Sequence, residues 1–228
     1  MNQKFTFLKK YEEYKKKQEE TKLEQQSQNN KNLETQNISN PIKEFNDEAT
    51  EKLSDLIYNI GYHDFKIDIF EREIKSLLDK GADINAIDDG FGGRNPLMIA
   101  ATRSASLCEF LIKNGADVEV KDVDGWTALI FAEHDNCRVI AKTLIENGAN
   151  VNVQDNSGWS PLMYACEDCH EDMVELLVEN GAQISMKDNW GKTAIDIAED
   201  SGIKKYLQEK LEKQQNIQTQ NEEDEYKF

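Results

Sequence analysis

A Gly-Ala step recurs at Gly81-Ala82, Gly115-Ala116, Gly148-Ala149 and Gly181-Ala182, at intervals of 34, 33 and 33 residues. Self-similarity at a fixed period of this length means a stack of small units, each able to bury its apolar face only against its neighbours. A second landmark keeps the same phase: Pro96-Leu97, Ala128-Leu129, Pro161-Leu162 and finally Ala194-Ile195, after which no Gly-Ala step follows. For such an array the functional question is which surface is presented, before it is which residues react.

The apolar spacing inside each unit predicts two short antiparallel helices. In the third, Leu162, Ala165 and Cys166 share one helical face, and Met173, Val174, Leu176 and Leu177 form a second stripe that stops at Asn180-Gly181. Ser160 is placed to cap the first helix and Pro161 suits its first turn, where a missing N–H costs nothing. Gly181 supplies the positive φ that follows a helix end. The connection to the next unit, AQISMKDNWG, is polar and ends in Gly, as a projecting turn requires.

The repeats do not fill the chain of 228 residues. Residues 1–46 are rich in Lys, Glu, Gln and Asn and bury too little apolar surface to offset the entropy of ordering, so a disordered or partly helical arm is expected there. Phe7, Tyr11 and Tyr14 nevertheless recur at helical spacing in that arm, as a short docking face or simply a solvated helical stretch. Residues 47–211 form the repeat domain, and 212–228 read as a polar, acidic, disordered tail. No run approaches the ~18 consecutive apolar residues of a membrane span. The N-terminus lacks an apolar leader core, so a cytoplasmic protein is expected, with the nucleus open.

The formal net charge is −17, and its distribution is uneven. The arm holds 9 Lys against 7 Glu, whereas residues 47–211 hold 16 Lys and Arg against 32 Asp and Glu. Nucleic-acid binding draws on Lys and Arg to release phosphate counterions, so an acidic core argues against it. Basic partners are favoured by complementary potential; solubility alone is the other reading of the charge.

The units resemble ankyrin repeats. The third reads DNSGWSPLMYACEDCHEDMVELLVENGA from Asp155 to Ala182, and the second carries DVDGWTALIFA from Asp122 and NGA at 147–149. The resemblance implies an all-α fold, an ankyrin-repeat α-solenoid with short β-hairpin turns. Four units are covered from about Lys75 to Leu211, with WGKTAIDIAEDSG (190–202) as a C-terminal cap. Residues 47–61 and 67–80 are the candidate helices of an irregular N-terminal cap, joined by the unusually long GYHDFK. The His of the family's T-P-L-H is replaced by Met98, Ile130, Met163 and Asp196, which implies that its usual side-chain hydrogen bonding is missing. The first hairpin, DDGFGGRN, is two residues longer than the others. Asn85 and Asn152 resemble hairpin asparagines that are hydroxylated in some ankyrin proteins; the alternative is that they satisfy turn backbone.

Several chemical motifs dissolve in the repeat frame. Cys166-Glu-Asp-Cys169-His170 matches the c-type haem attachment pattern. The resemblance instead makes Cys166 a small inner-helix residue, Cys169 a substitute for the inter-helix Gly and His170 the His that follows it. Cys108 and Cys137 lie in other units, so no four-ligand zinc set has the right spacing. GFGGR at 90–94 lacks the Lys-Ser/Thr of a P-loop, and neither G-x-S-x-G nor H-E-x-x-H occurs. His63, His134 and His170 are scattered, so no catalytic residue, metal or cofactor is expected.

What remains is a surface. The resemblance implies that a partner binds the concave face formed by hairpin tips and inner helices. After the hairpin Gly the units place Arg94, Trp126, Trp159 and Lys192 in register, with Trp190 beside the last. Two tryptophans one repeat apart are expected side by side. At the inner-helix ends come Thr102-Arg103, His134-Asp135, Glu167-Asp168 and Asp200-Ser201, an acidic ladder with basic residues at its extremes. Trp is enriched at interface hot spots, while packing over the hairpin base is the alternative for both tryptophans. The sequence therefore reads as a monomeric, non-catalytic interaction module that takes a basic, partly apolar segment of another protein. A regulatory subunit masking an enzyme, or an adaptor that docks through its arm, are the other readings.

Overall fold

The computed structural model describes residues 45–60, 67–88 and 93–225. The arm with Phe7, Tyr11 and Tyr14, the GYHDFK connection and residues 89–92 of the long hairpin lie outside them. Ten helices follow one another in the described chain: α1 (Asp47–Ile60), α2 (Ile67–Asp79), α3 (Pro96–Ala101), α4 (Ala105–Lys113), α5 (Ala128–His134), α6 (Arg138–Glu146), α7 (Pro161–Glu167), α8 (Glu171–Glu179), α9 (Ala194–Ile197) and α10 (Ser201–Glu225). Each odd-numbered helix packs on the even-numbered helix that follows it. The odd helices also stack in series from α1 to α9, and the even ones from α4 to α10, giving two layers of an α-solenoid. Among the described residues no strand forms; the hairpins are turns, with one isolated bridge between Asp88 and Arg94.

The recurring Gly-Ala step has a concrete cause. At the end of α4, Ala116 N–H donates to Leu111 O and Gly115 N–H to Ile112 O, both at 3.0 Å, the paired bonds of a Schellman helix stop. Gly115 takes φ +98°, which a side chain would resist. The same Ala-to-Leu bond recurs at Ala82, Ala149 and Ala182, each 3.0 Å, and all four alanines are buried. The core is likewise in phase: Leu97, Leu129 and Leu162 of the inner helices, and Leu111, Leu144 and Leu177 of the outer ones, are all essentially inaccessible to water. The residues assigned to the two apolar faces of the third unit, from Leu162 to Leu177, are buried throughout.

Two expectations are corrected. The hydrogen bonding expected to be missing at the T-P-L-H His position is supplied by other atoms. Met98 Sδ accepts from Asn95 N–H (3.4 Å), Met163 Sδ from Ser160 N–H (3.5 Å), and Asp196 Oδ2 from Thr193 N–H (2.9 Å). In return the Asn95, Ser160 and Thr193 side chains accept from the third helical N–H, so these three inner helices each have a reciprocal cap. Only the second unit lacks one: Ile130 has no acceptor to offer, and the buried Thr127 hydroxyl is left without a partner.

The tail expected to be disordered from residue 212 instead continues α10 to Glu225. Its Lys, Glu and Gln are strong helix formers, and no Gly or Pro interrupts them after Gly202. Asp200, placed by sequence at the end of an inner helix, starts this helix: its Oδ1 accepts from Gly202 N–H at 2.7 Å and Ile203 N–H at 2.9 Å.

Candidate interaction face and an acidic junction

The hairpins of the second, third and fourth units are each built on one carboxylate. Asp122 Oδ1 accepts from Asp124 N–H (2.9 Å) and Trp126 N–H (2.7 Å), and Asp155 Oδ1 does the same for Ser157 and Trp159, both at 2.8 Å. These bonds fix the backbone from which Trp126 and Trp159 project. Burial raises the Asp122 carboxyl above its ordinary range although it accepts both N–H groups.

The two tryptophans do not stand side by side, as the sequence had implied. The Tyr164 ring lies between them, 5.1 Å from Trp126 and 5.0 Å from Trp159 between centroids. Tyr164 is held there by its hydroxyl, which donates to Asp155 Oδ2 at 2.6 Å, and burial with that contact pushes its phenol upward in pKa. On the other side Trp126 meets the Phe131 ring edge-on at 5.2 Å, and the Arg94 guanidinium lies 4.3 Å over Phe131. A continuous row results: Arg94, Phe131, Trp126, Tyr164, Trp159. Both tryptophans are half-buried, so they pack and still present an edge to solvent.

Trp159 also opens into a shallow concavity of about 710 Å³ shared with Glu167, Trp190, Lys192, Glu199 and Lys204. Trp190 is 70 % exposed, the largest apolar surface left uncovered at this end. The structure thus brings Trp159, Trp190, Lys192 and Glu167 together, and His134 joins Trp126 edge-on at 5.5 Å. Asp135 is exposed at the end of α5, and Arg103 turns away to the cap, where it lies over the Tyr58 ring and donates to the Tyr58 carbonyl. Asp200 is occupied as a helix cap.

Phe131 and Tyr164 escaped the sequence reading, although a signal existed. Five residues after Arg94, Trp126, Trp159 and Lys192 stand Ile99, Phe131, Tyr164 and Ile197, so the two aromatics belong to the same units as the two tryptophans. Glu133 escaped it too. It occupies the inner-helix position held elsewhere by Ala101, Cys166 and Glu199, and unlike the exposed Glu199 it is completely buried. Its Oε1 lies 3.0 Å from His170 Nδ1 of the next unit, while its Oε2 has no hydrogen-bond partner. Burial first, then the negative charges of Asp168 and Glu167, push this carboxyl up to about 9. The contact with His170 is a hydrogen bond whose donor is set by the imidazole tautomer.

The cysteine motif has no shared geometry of its own. Cys169 takes the left-handed turn conformation (φ +56°) between α7 and α8 and is exposed, whereas Cys166 is buried. Burial holds Cys108 and Cys166 near 12, far from a reactive thiolate. Iodoacetamide at pH 8 is expected to label Cys169 and Cys137 within minutes and to leave Cys108 and Cys166 unmodified until denaturant is added. Equal labelling of all four in the native chain would contradict the buried placement.

Asn85 and Asn152 are engaged between units. Asn85 Oδ1 accepts from Asp117 N–H and Asn152 Oδ1 from Gln183 N–H, both at 2.8 Å, and each amide donates back to the Gly carbonyl that ends the following outer helix. No helix among the described residues is long and apolar enough to cross a membrane. A family model of ankyrin repeats, in three copies, matches residues 70–155 and 140–221. A search of curated proteins finds no match.

Proposed function

Since the chain belongs to the ankyrin-repeat family, whose members are generally protein–protein interaction modules and typically non-catalytic, we propose that its concave face binds a basic, partly apolar segment of another protein. The observation that carries this reading is the row in which buried Phe131 braces the half-buried rings of Trp126, Tyr164 and Trp159, edged by carboxylates. Aromatic faces that are braced from behind lose little entropy on binding, and each is suited to a methylene chain or a guanidinium. Glu167, Asp168 and Asp135, exposed at the inner-helix ends, complement Lys or Arg and would speed encounter. The reading includes a monomer in the cytoplasm with no nucleic-acid partner.

The test is a displayed library of Lys/Arg-rich segments bearing Leu or Phe, screened against the full chain with Asp/Glu-rich segments as control. Selected segments should bind with Trp fluorescence changes, weaken with added salt, and lose roughly 30-fold in affinity with Trp126→Ala or Trp159→Ala, corresponding to ~2 kcal/mol at a hot spot. Enrichment of acidic segments, or affinity indifferent to both salt and the tryptophans, would overturn the assignment.

A further inference from the structure

The junction between α5 and α7 assembles donors that the aromatic row does not use. Glu133, Asp168 and His170 each offer one ligand atom, and those atoms lie within 4.8 Å of one another. Three features point to a cation site. Glu133 is completely buried, whereas its equivalent in the last unit, Glu199, is exposed, and the Glu133 Oε2 has no hydrogen-bond partner. Asp168 caps the C-terminus of α7 and Glu133 sits in the last turn of α5, so the negative ends of two helices add to the carboxylates. The charges that act on Glu133 are the negative ones of Asp168 and Glu167.

We propose that Glu133, Asp168 and His170 form a binding site for a divalent first-row transition ion, with one imidazole nitrogen and two carboxylate oxygens as ligands and water completing the shell. An imidazole in the set selects such ions over Mg²⁺ and Ca²⁺, which favour all-oxygen shells. The 3.0 Å between His170 Nδ1 and Glu133 Oε1 is close to the ~3.3 Å separating neighbouring ligands around a tetrahedral ion with ~2.0 Å bonds. Asp168 is exposed and gives an entry path, whereas the ammonium of a partner's Lys would have to be drawn into a site closed over Glu133. A bound ion would tie the second unit, through Glu133, to the third, through Asp168 and His170.

The test uses the full chain, stripped with chelator, and titrates it with Co²⁺ and Zn²⁺ alone. One equivalent of Co²⁺ should bind with visible d–d absorption, be displaced by Zn²⁺, resist a hundredfold excess of Mg²⁺, and raise the melting temperature. Glu133→Gln, His170→Gln and the surface substitution Asp168→Asn should each weaken binding at least tenfold, with far-UV circular dichroism unchanged for the first and last. Cys137→Ser and Cys169→Ser should leave it intact. No stoichiometric binding, binding that survives Glu133→Gln and Asp168→Asn, or binding lost with Cys169→Ser would each overturn the site.

Discussion

Replacing Glu133 by Gln is expected to stabilise the metal-free chain by about 3 kcal/mol at pH 7, with the gain vanishing near pH 4. In the unfolded chain this acid ionises around 4.5; in the folded chain it keeps its proton until about 9. The folded state therefore binds the extra proton between those values, and stability falls as pH rises, by ~1.4 kcal/mol per pH unit for this one group. Below 4.5 both states are protonated and the group contributes no pH dependence. The groups facing it are His170, Asp168, Glu167 and the Cys166 thiol. Gln keeps the shape and the hydrogen bond to His170 while removing the titration. Denaturant titrations of both proteins, with chelator present, from pH 4 to pH 8.5 should diverge steadily. Parallel curves would show that Glu133 is ionised in the fold and stabilised there by His170.

The second large effect is a loss. Gly158→Ala is expected to destabilise the fold by about 3 kcal/mol, seen as a lower denaturation midpoint. Gly158 sits at φ +80°, and a Cβ there would lie 2.8 Å from both the backbone N and the Oδ1 of Asn189 in the next hairpin. The left-handed conformation alone costs a non-glycine residue roughly 1 kcal/mol, and the remainder comes from pushing the neighbouring hairpin tip away. Asn189 is not free to yield, because its amide donates to Asn156 O at 3.0 Å and its own N–H to Ser157 O at 3.1 Å. Gly148→Ala serves as the comparison: its Cβ would meet nothing within 4 Å, so it should show the conformational cost only. Equal losses for the two would mean that the hairpin tips do not pack as described.

What was legible in the sequence is what repeats. The Gly-Ala step could be read because the same Schellman bonds end every outer helix, and the apolar stripes because Leu97, Leu129 and Leu162 bury against one another in register. Two kinds of feature were not. Tyr164 comes between Trp126 and Trp159 because side chains from different positions of adjacent units interleave, which translation along one position cannot show. Glu133 reads as one more acid beside an acidic ladder; only the packing of the next unit over it makes it buried. The helical course of residues 212–225 was hidden for another reason. Low apolar content predicts disorder, whereas backbone propensity continues a helix already nucleated and anchored by Ile203 and Leu207.

The bonds made by Asn85 and Asn152 give the array a direction. Each accepts an N–H from about one unit downstream, and Glu119 at the equivalent position does so too, from Asn150 N–H at 2.8 Å. Every unit thus depends on its successor to satisfy an acceptor it extends forward, while its successor loses a donor's partner if the earlier unit melts. Nearest-neighbour coupling of this kind makes unfolding a boundary that moves along the chain rather than a single event. Deleting the last unit would leave Asn152 reaching toward solvent and begin the unravelling from that side, so the long helix α10 acts as an end-stop that sets where melting can start.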